Sequence, residues 1–340
     1  MNESKAMIAG CTGLSLTDEE RAFHRAERPW GFILFGRNIS EREQIRDLVA
    51  EWRDLVGRPD APIFIDQEGG RVQRIREPLL PRYPSGRAIG EVYARDAEAG
   101  RRAAWLMSRL HALDLRSFGI TADCLPVLDV PLPGAHDVIG DRAYSSDPDA
   151  VADLGRAAAS GLMAGGVLPV MKHMPGHGRA FCDSHKELPV VDAPLDDLRA
   201  RDFVPFRLLS DLPMAMTAHL VFTAIDPANP ATHSKKVIED IIRGEIGFHG
   251  LLMSDDVSME ALSGDYRSRA LAIIAAGCDV VLHCNGRMDE MTAVASAVPP
   301  LAGNALLRAQ AALRALDAGN DDNTETALRA EFETLVTRAA

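Results

Sequence analysis

The sequence predicts an α/β protein, a (β/α)8 barrel of the TIM type, on three observations. Short apolar runs alternate with longer charged segments of helical spacing, about seven or eight such units fit the 340 residues, and polar residues recur where the apolar runs end. Alternation alone also fits a doubly wound open sheet. The barrel is favoured because Asp66, Asp123, His173, His219, Asp255 and His283 each stand at or just after the C-terminal end of a run. In a closed barrel those ends converge on one mouth. No Gly-x-Gly-x-x-Gly loop follows the first strands, as a dinucleotide fold would require.

In chain order, apolar runs too short for free-standing helices place strands at 31–35, 62–66, 120–124, 167–172, 214–219, 251–254 and 279–283. Between them, apolar positions at three- and four-residue spacing place helices at 41–55, 94–118, 147–164, 195–209, 235–242 and 266–276. Several of these begin after a polar residue able to cap them. Two further helical stretches, 301–318 and 324–337, flank a polar turn at 319–323. Residues 1–340 are therefore expected to form a single catalytic barrel domain, with 286–340 as a C-terminal helical closure.

Composition narrows the function. Lys and Arg number 37 against 49 Asp and Glu, a net charge of −12, and aromatic residues make up 5% of the chain. Nucleic acid and anionic membrane both demand concentrated positive charge, so a small-molecule partner is expected instead. Glu3 stands in an N-terminus without an apolar stretch of signal-peptide length, and no run approaches 18 apolar residues. The five cysteines, Cys11, Cys124, Cys182, Cys278 and Cys284, are odd in number and never form a Cys-x-x-Cys pair, which fits reduced thiols. The expectation is a cytoplasmic enzyme, monomeric by default.

Four segments carry chemistry. Asp66-Gln67-Glu68-Gly69-Gly70-Arg71-Val72-Gln73-Arg74 gathers acids, amides and arginines around a glycine pair that lets the chain turn, and ligand binding and a salt-bridged loop fit it equally. Lys172-His173-Met174-Pro175-Gly176-His177-Gly178, running on to Asp183-Ser184-His185, is kept irregular by its proline and glycines. That irregularity opposes the helical His173/His177 spacing a metal site would use, so no metal or cofactor is expected. Asp183 is placed instead to orient His185 as a proton-transfer group. Met216-Thr217-Ala218-His219 is read as structural. In Met253-Ser254-Asp255-Asp256-Val257-Ser258-Met259, adjacent carboxylates at a strand end are poorly explained by packing, and side-chain alternation sends one to the barrel axis as a nucleophile and the other to the surrounding shell.

These motifs, in this order and spacing, resemble the glycoside hydrolase family 3 β-N-acetylhexosaminidases, most closely the short single-barrel bacterial subgroup, over about Gly13 to Gly286. The resemblance implies that Asp255 is the nucleophile, His185 the acid/base and Asp183 its partner. It implies that Asp66, Arg74, Arg142, Lys172 and His173 bind the terminal sugar, Arg142 lying in Gly140-Asp141-Arg142-Ala143-Tyr144. Met174 and Val257 replace the commoner Phe and Leu of the family pattern. The implied activity is exo-acting, retaining release of N-acetylglucosamine from muropeptides in cell-wall recycling. The alternatives are a β-glucosidase of the same family, a non-catalytic amino-sugar sensor, and a metal-dependent hydrolase using His173, His177 and Asp183. The three tryptophans Trp30, Trp52 and Trp105 fall outside every motif, which favours a pocket for one sugar over a long cleft lined with aromatic platforms.

Overall fold

The structure, a computed structural model, describes residues 4–181, 188–318 and 324–337. Eight parallel strands close into a barrel in sequence order: β1 (Lys5–Ala9), β2 (Pro29–Leu34), β3 (Ile63–Ile65), β4 (Ala122–Asp123), β5 (Leu168–Met174), β6 (Met214–Thr217), β7 (Leu251–Asp256) and β8 (Val280–His283). The barrel closes where Met7, Ile8 and Ala9 pair with Val281, Leu282 and His283. The strands are buried along almost their whole length, including all seven residues of Leu-Pro-Val-Met-Lys-His-Met in β5. This is the pattern of parallel strands covered on both faces.

The expected barrel is present, and it contains a strand that the sequence reading omits, β1. Its run Ala6-Met7-Ile8-Ala9 is too short and too close to the N-terminus to stand out, yet every one of these residues is buried. The single helix expected over 94–118 is two, Gly86–Arg95 and Ala97–Arg116. Asp96 divides them, because its carboxylate accepts from the backbone N–H groups of Glu98 and Ala99 and so begins a new helix. The segment expected as one helix over 195–209 contains a wide turn at Leu198–Asp202 between two short helical pieces.

The helices cover the barrel in the usual amphipathic way. In Arg42–Val56 the residues Ile45, Leu48, Val49, Trp52 and Val56 are buried, and Gly57, at φ 64°, ends the helix in the left-handed region. Beyond β8, the helices Met288–Ala295, Gly303–Arg314 and Glu325–Thr337 follow one another. Arg329 ties the last to the helix Ala97–Arg116 through a 2.6 Å bond from Nη2 to Asp114 Oδ1. Trp30 and Trp52 are completely buried and belong to the core.

Two long helices, Ala97–Arg116 and Pro148–Ala164, approach so closely that a Cβ on Gly161 would lie 2.3 Å from the carbonyl O of Trp105. Gly161→Ala is expected to force the helices apart and destabilise the fold by about 1–3 kcal/mol, read as a lower urea midpoint. An unchanged midpoint would mean that the contact gives way freely.

Candidate active site

The C-terminal ends of the strands build one polar recess of about 430 Å³. Asp66 and Glu68 enter from the turn after β3, Arg74 from the hairpin that continues it, and Arg142 from the long loop after β4. Lys172 and His173 come from the end of β5, Asp255 and Asp256 from β7, and Cys284 from the residue after β8. All five residues expected to bind sugar, together with Asp255, thus line the same recess. Asp183 and His185 lie outside the described residues.

Charge holds the floor together. Lys172, only 2% exposed, places Nζ 2.9 Å from Asp66 Oδ1 and 2.6 Å from Glu68 Oε1. Arg74 donates from Nη2 to Asp66 Oδ2 at 2.8 Å. Arg142 grips both oxygens of Glu68 in a fork, Nε to Oε2 and Nη2 to Oε1, each at 2.8 Å. Burial works to raise the pKa of Glu68, but Arg142 and Lys172 outweigh it and bring the group down to about 2. Asp66 is likewise held well below the usual carboxylate range, Lys172 and Arg74 overcoming its burial. Both acids are therefore ionised at neutral pH. The cluster is rigid and highly polar, suited to donating and accepting hydrogen bonds to a ring of hydroxyls.

His173 is fixed from behind. Its Nδ1–H donates to Asp129 Oδ2 at 2.7 Å, while Asp129 Oδ1 accepts the backbone N–H groups of His173 at 3.2 Å and His177 at 2.7 Å. The carboxylate defines the tautomer and leaves Nε2 as the nitrogen opposite it. Burial alone would raise the pKa of Asp129, yet His173 brings it down to about 2.

The adjacent acids of β7 differ in their surroundings. Asp256 is spoken for: its Oδ1 accepts from the N–H groups of Ser258 at 3.0 Å and Cys284 at 3.1 Å, and its Oδ2 from the Ser258 hydroxyl at 2.6 Å. Asp255 accepts the N–H of Asp256 at 2.8 Å through Oδ1 and lines the recess. His219, read as structural from the sequence, supports this strand end. Its Nε2–H donates to the carbonyl O of Asp256 at 3.0 Å, Nδ1 lies 2.8 Å from Thr232 Oγ1, and burial holds its pKa down.

Three participants escape the sequence reading. Glu68 lies inside the first motif but receives no role of its own there. Asp129 ends the run Leu125-Pro126-Val127-Leu128, the same signal that marks the other strand-end acids. Phe35 follows β2 and lines the recess, with the guanidinium carbons of Arg74 and Arg37 at 4.9 and 5.1 Å from its ring centre. Asp123 and His283, strand-end residues too, do not line the recess: Asp123 accepts the N–H of Gln67 at 2.9 Å, and His283 Nε2 meets Glu290 Oε2 of the helix Met288–Ala295 at 3.1 Å. Met174 and Val257 are both completely buried. Among the described residues, no three His, Cys, Asp or Glu side chains are grouped to hold a metal ion.

Residues 17–319 match the family model described as glycosyl hydrolase family 3 N terminal domain. The chain belongs to this family. A relative from Bordetella avium named beta-hexosaminidase is 39% identical over 300 residues, spanning 86% of this chain and 85% of its own. A solved structure of NagZ from Neisseria gonorrhoeae in complex with N-trifluoroacetyl-D-glucosamine superposes with a TM-score of 0.87 at 34% identity, covering 99% of each chain. A family 3 beta-N-acetylglucosaminidase from a Paenibacillus strain gives 0.85 at 31% identity, covering 98% of this chain and 66% of that one. The family 3 chain described here is thus similar to proteins that carry the name of a hexosaminidase, and its barrel is theirs.

Proposed function

We propose that this family 3 protein is an exo-acting, retaining β-N-acetylglucosaminidase that removes terminal N-acetylglucosamine from muropeptides during cell-wall recycling in the cytoplasm. The observation that carries the reading is the recess itself, where Asp255 shares its walls with the charged cluster of Asp66, Arg74, Arg142, Lys172 and His173. Its volume, about 430 Å³, is at the small end of ligand sites, which run from about 300 to 1,000 Å³. That size suits one terminal sugar. The names of its relatives favour an amino sugar. The described cysteines Cys11, Cys124, Cys278 and Cys284 are buried and free of disulfides, in keeping with a reducing compartment.

The reaction runs in two displacements. Asp255 attacks the anomeric carbon as the bond to the leaving oxygen breaks, and His185 protonates that oxygen. Water then attacks the glycosyl-enzyme, His185 takes its proton, and the Asp255 carboxylate departs. An imidazole with a reference pKa of ~6.5 exchanges protons at neutral pH without the burial that a carboxylic acid would need, and Asp183 is assigned as its partner.

Incubation with purified muropeptides is expected to release free N-acetylglucosamine, first as the β anomer by proton NMR. Release of the α anomer overturns the retaining mechanism, and cleavage of nitrophenyl β-glucoside in preference to the β-N-acetylglucosaminide overturns the substrate. His185→Ala is expected to slow substrates with poor leaving groups by about 10²–10⁴-fold and to spare an activated aryl glycoside by comparison. Equal losses on the two would remove His185 from the acid/base role.

A further inference from the structure

On the far side of the hairpin that carries Arg74 lies a second recess, of about 510 Å³, lined by Gly70, Arg71, Gln73, Arg76, Glu77 and Arg82. We infer that this recess binds the carboxylates of an acidic aglycone, such as a peptide, attached to the sugar held in the neighbouring pocket. The inference rests on the glycosidase reading above and adds to it the place where the rest of the substrate lies.

Geometry joins the two recesses. Side chains alternate along the hairpin, so Val72 and Arg74 face the sugar pocket while Gln73 faces the second recess, and Arg71 lines both. Arg71 is held in that bridging position by a 2.9 Å contact from Nε to Asp141 and by bonds from Nη2 to the carbonyl oxygens of Val138, at 2.9 Å, and Ile139, at 3.2 Å. Arg71 alone borders both recesses, so the route inferred for the aglycone runs over it, around the turn of the hairpin.

Charge sets the class of ligand. Three arginines line the recess against the single carboxylate of Glu77; Arg71 is already paired with Asp141, so Arg76 and Arg82 supply its positive excess. Arg76 is pinned by donating to carbonyl oxygens, from Nε to Gln73 at 2.6 Å and from Nη2 to Arg71 at 2.9 Å, contacts that orient its charge without neutralising it. Among the described residues no ion pair is formed by Arg82 or by Glu77. The floor is neutral and already satisfied: Gln73 donates to the carbonyls of Ile75 and Pro81 and accepts the N–H of Tyr83. A chain with a net charge of −12 repels an anionic substrate at long range, so local guanidinium groups are what bring its carboxylates in. Planar, forked guanidinium groups match carboxylates in shape as well as sign.

The test compares three substrates on the full chain: nitrophenyl β-N-acetylglucosaminide, an acidic muropeptide, and the same muropeptide with its carboxylates amidated. Arg82→Glu and Arg76→Gln are expected to raise KM for the acidic muropeptide about three- to tenfold, with kcat unchanged and with the nitrophenyl and amidated substrates unaffected. Added salt should shrink the difference between wild type and variant. Equal KM values for acidic and amidated muropeptides in the wild type, or variants that shift all three substrates alike, overturn the inference. If the wild type leaves the nitrophenyl glycoside intact, the glycosidase reading fails. Calorimetric binding of acidic against amidated muropeptide then still reads the recess, and equal affinities would reject it.

Discussion

Asp255→Ala is expected to lower turnover of nitrophenyl β-N-acetylglucosaminide by at least about 10⁴-fold while leaving the thermal midpoint close to wild type, because the change removes the attacking group and little packing. The neighbouring acid is no substitute. Asp256 already accepts three hydrogen bonds, from Ser258 N–H, the Ser258 hydroxyl and Cys284 N–H, which hold its lone pairs in the wall of the barrel. A 5-fluoro sugar that traps the glycosyl-enzyme is expected to label Asp255, located by mass spectrometry of the digest. A label on Asp256 would exchange the roles of the two, and a variant with a tenth of wild-type activity would deny Asp255 the nucleophile's part.

The second large effect concerns stability. Glu68 is the acid shared by Lys172 and Arg142, and all three are almost fully buried. Glu68→Ala takes from Arg142 the carboxylate it grips and leaves Lys172 with Asp66 alone, and breaking a buried pair of this kind costs about 3–5 kcal/mol, measured as a lower urea midpoint at pH 7. The pH dependence has a definite sign. The folded pKa of about 2 lies below the ordinary 4.5, so the stabilisation is present in full above about pH 4.5 and drains away as pH falls toward 2. In Glu68→Gln that acid-sensitive share is gone, and its stability is expected to fall less than that of the wild type between pH 5 and pH 3. Parallel decline of the two proteins would show that Glu68 contributes nothing through its charge.

Much of this architecture is legible in the residues because strand ends and catalytic positions coincide in a barrel. Asp66, Lys172, His173 and Asp255 stand out as polar groups terminating apolar runs, and the recess does gather them. What escapes is information held in pairing rather than pattern. β1 is recognisable only through its partners on β8 and β2, since five residues carry too little periodicity to be seen alone. The break at Asp96 was present as a capping residue, but a continuous apolar stripe on both sides conceals it. Glu68 is visible as a charge, yet its hold on Arg142, 74 positions away, is created only when two loops meet over the barrel mouth. Phe35 reads as the end of a strand until the arginines beside it are placed.

Asp129 gives these loops a common hinge post. One buried carboxylate takes the imidazole of His173 and the backbone of His177, the two points from which the chain sets out toward Asp183 and His185. Under the function proposed above, the sugar contact assigned to His173 and the proton transfer assigned to His185 both depend on the segment held by this one carboxylate. A change at Asp129 is therefore expected to disturb both assigned roles together, whereas changes beyond residue 177 are expected to alter leaving-group preference with less effect on His173.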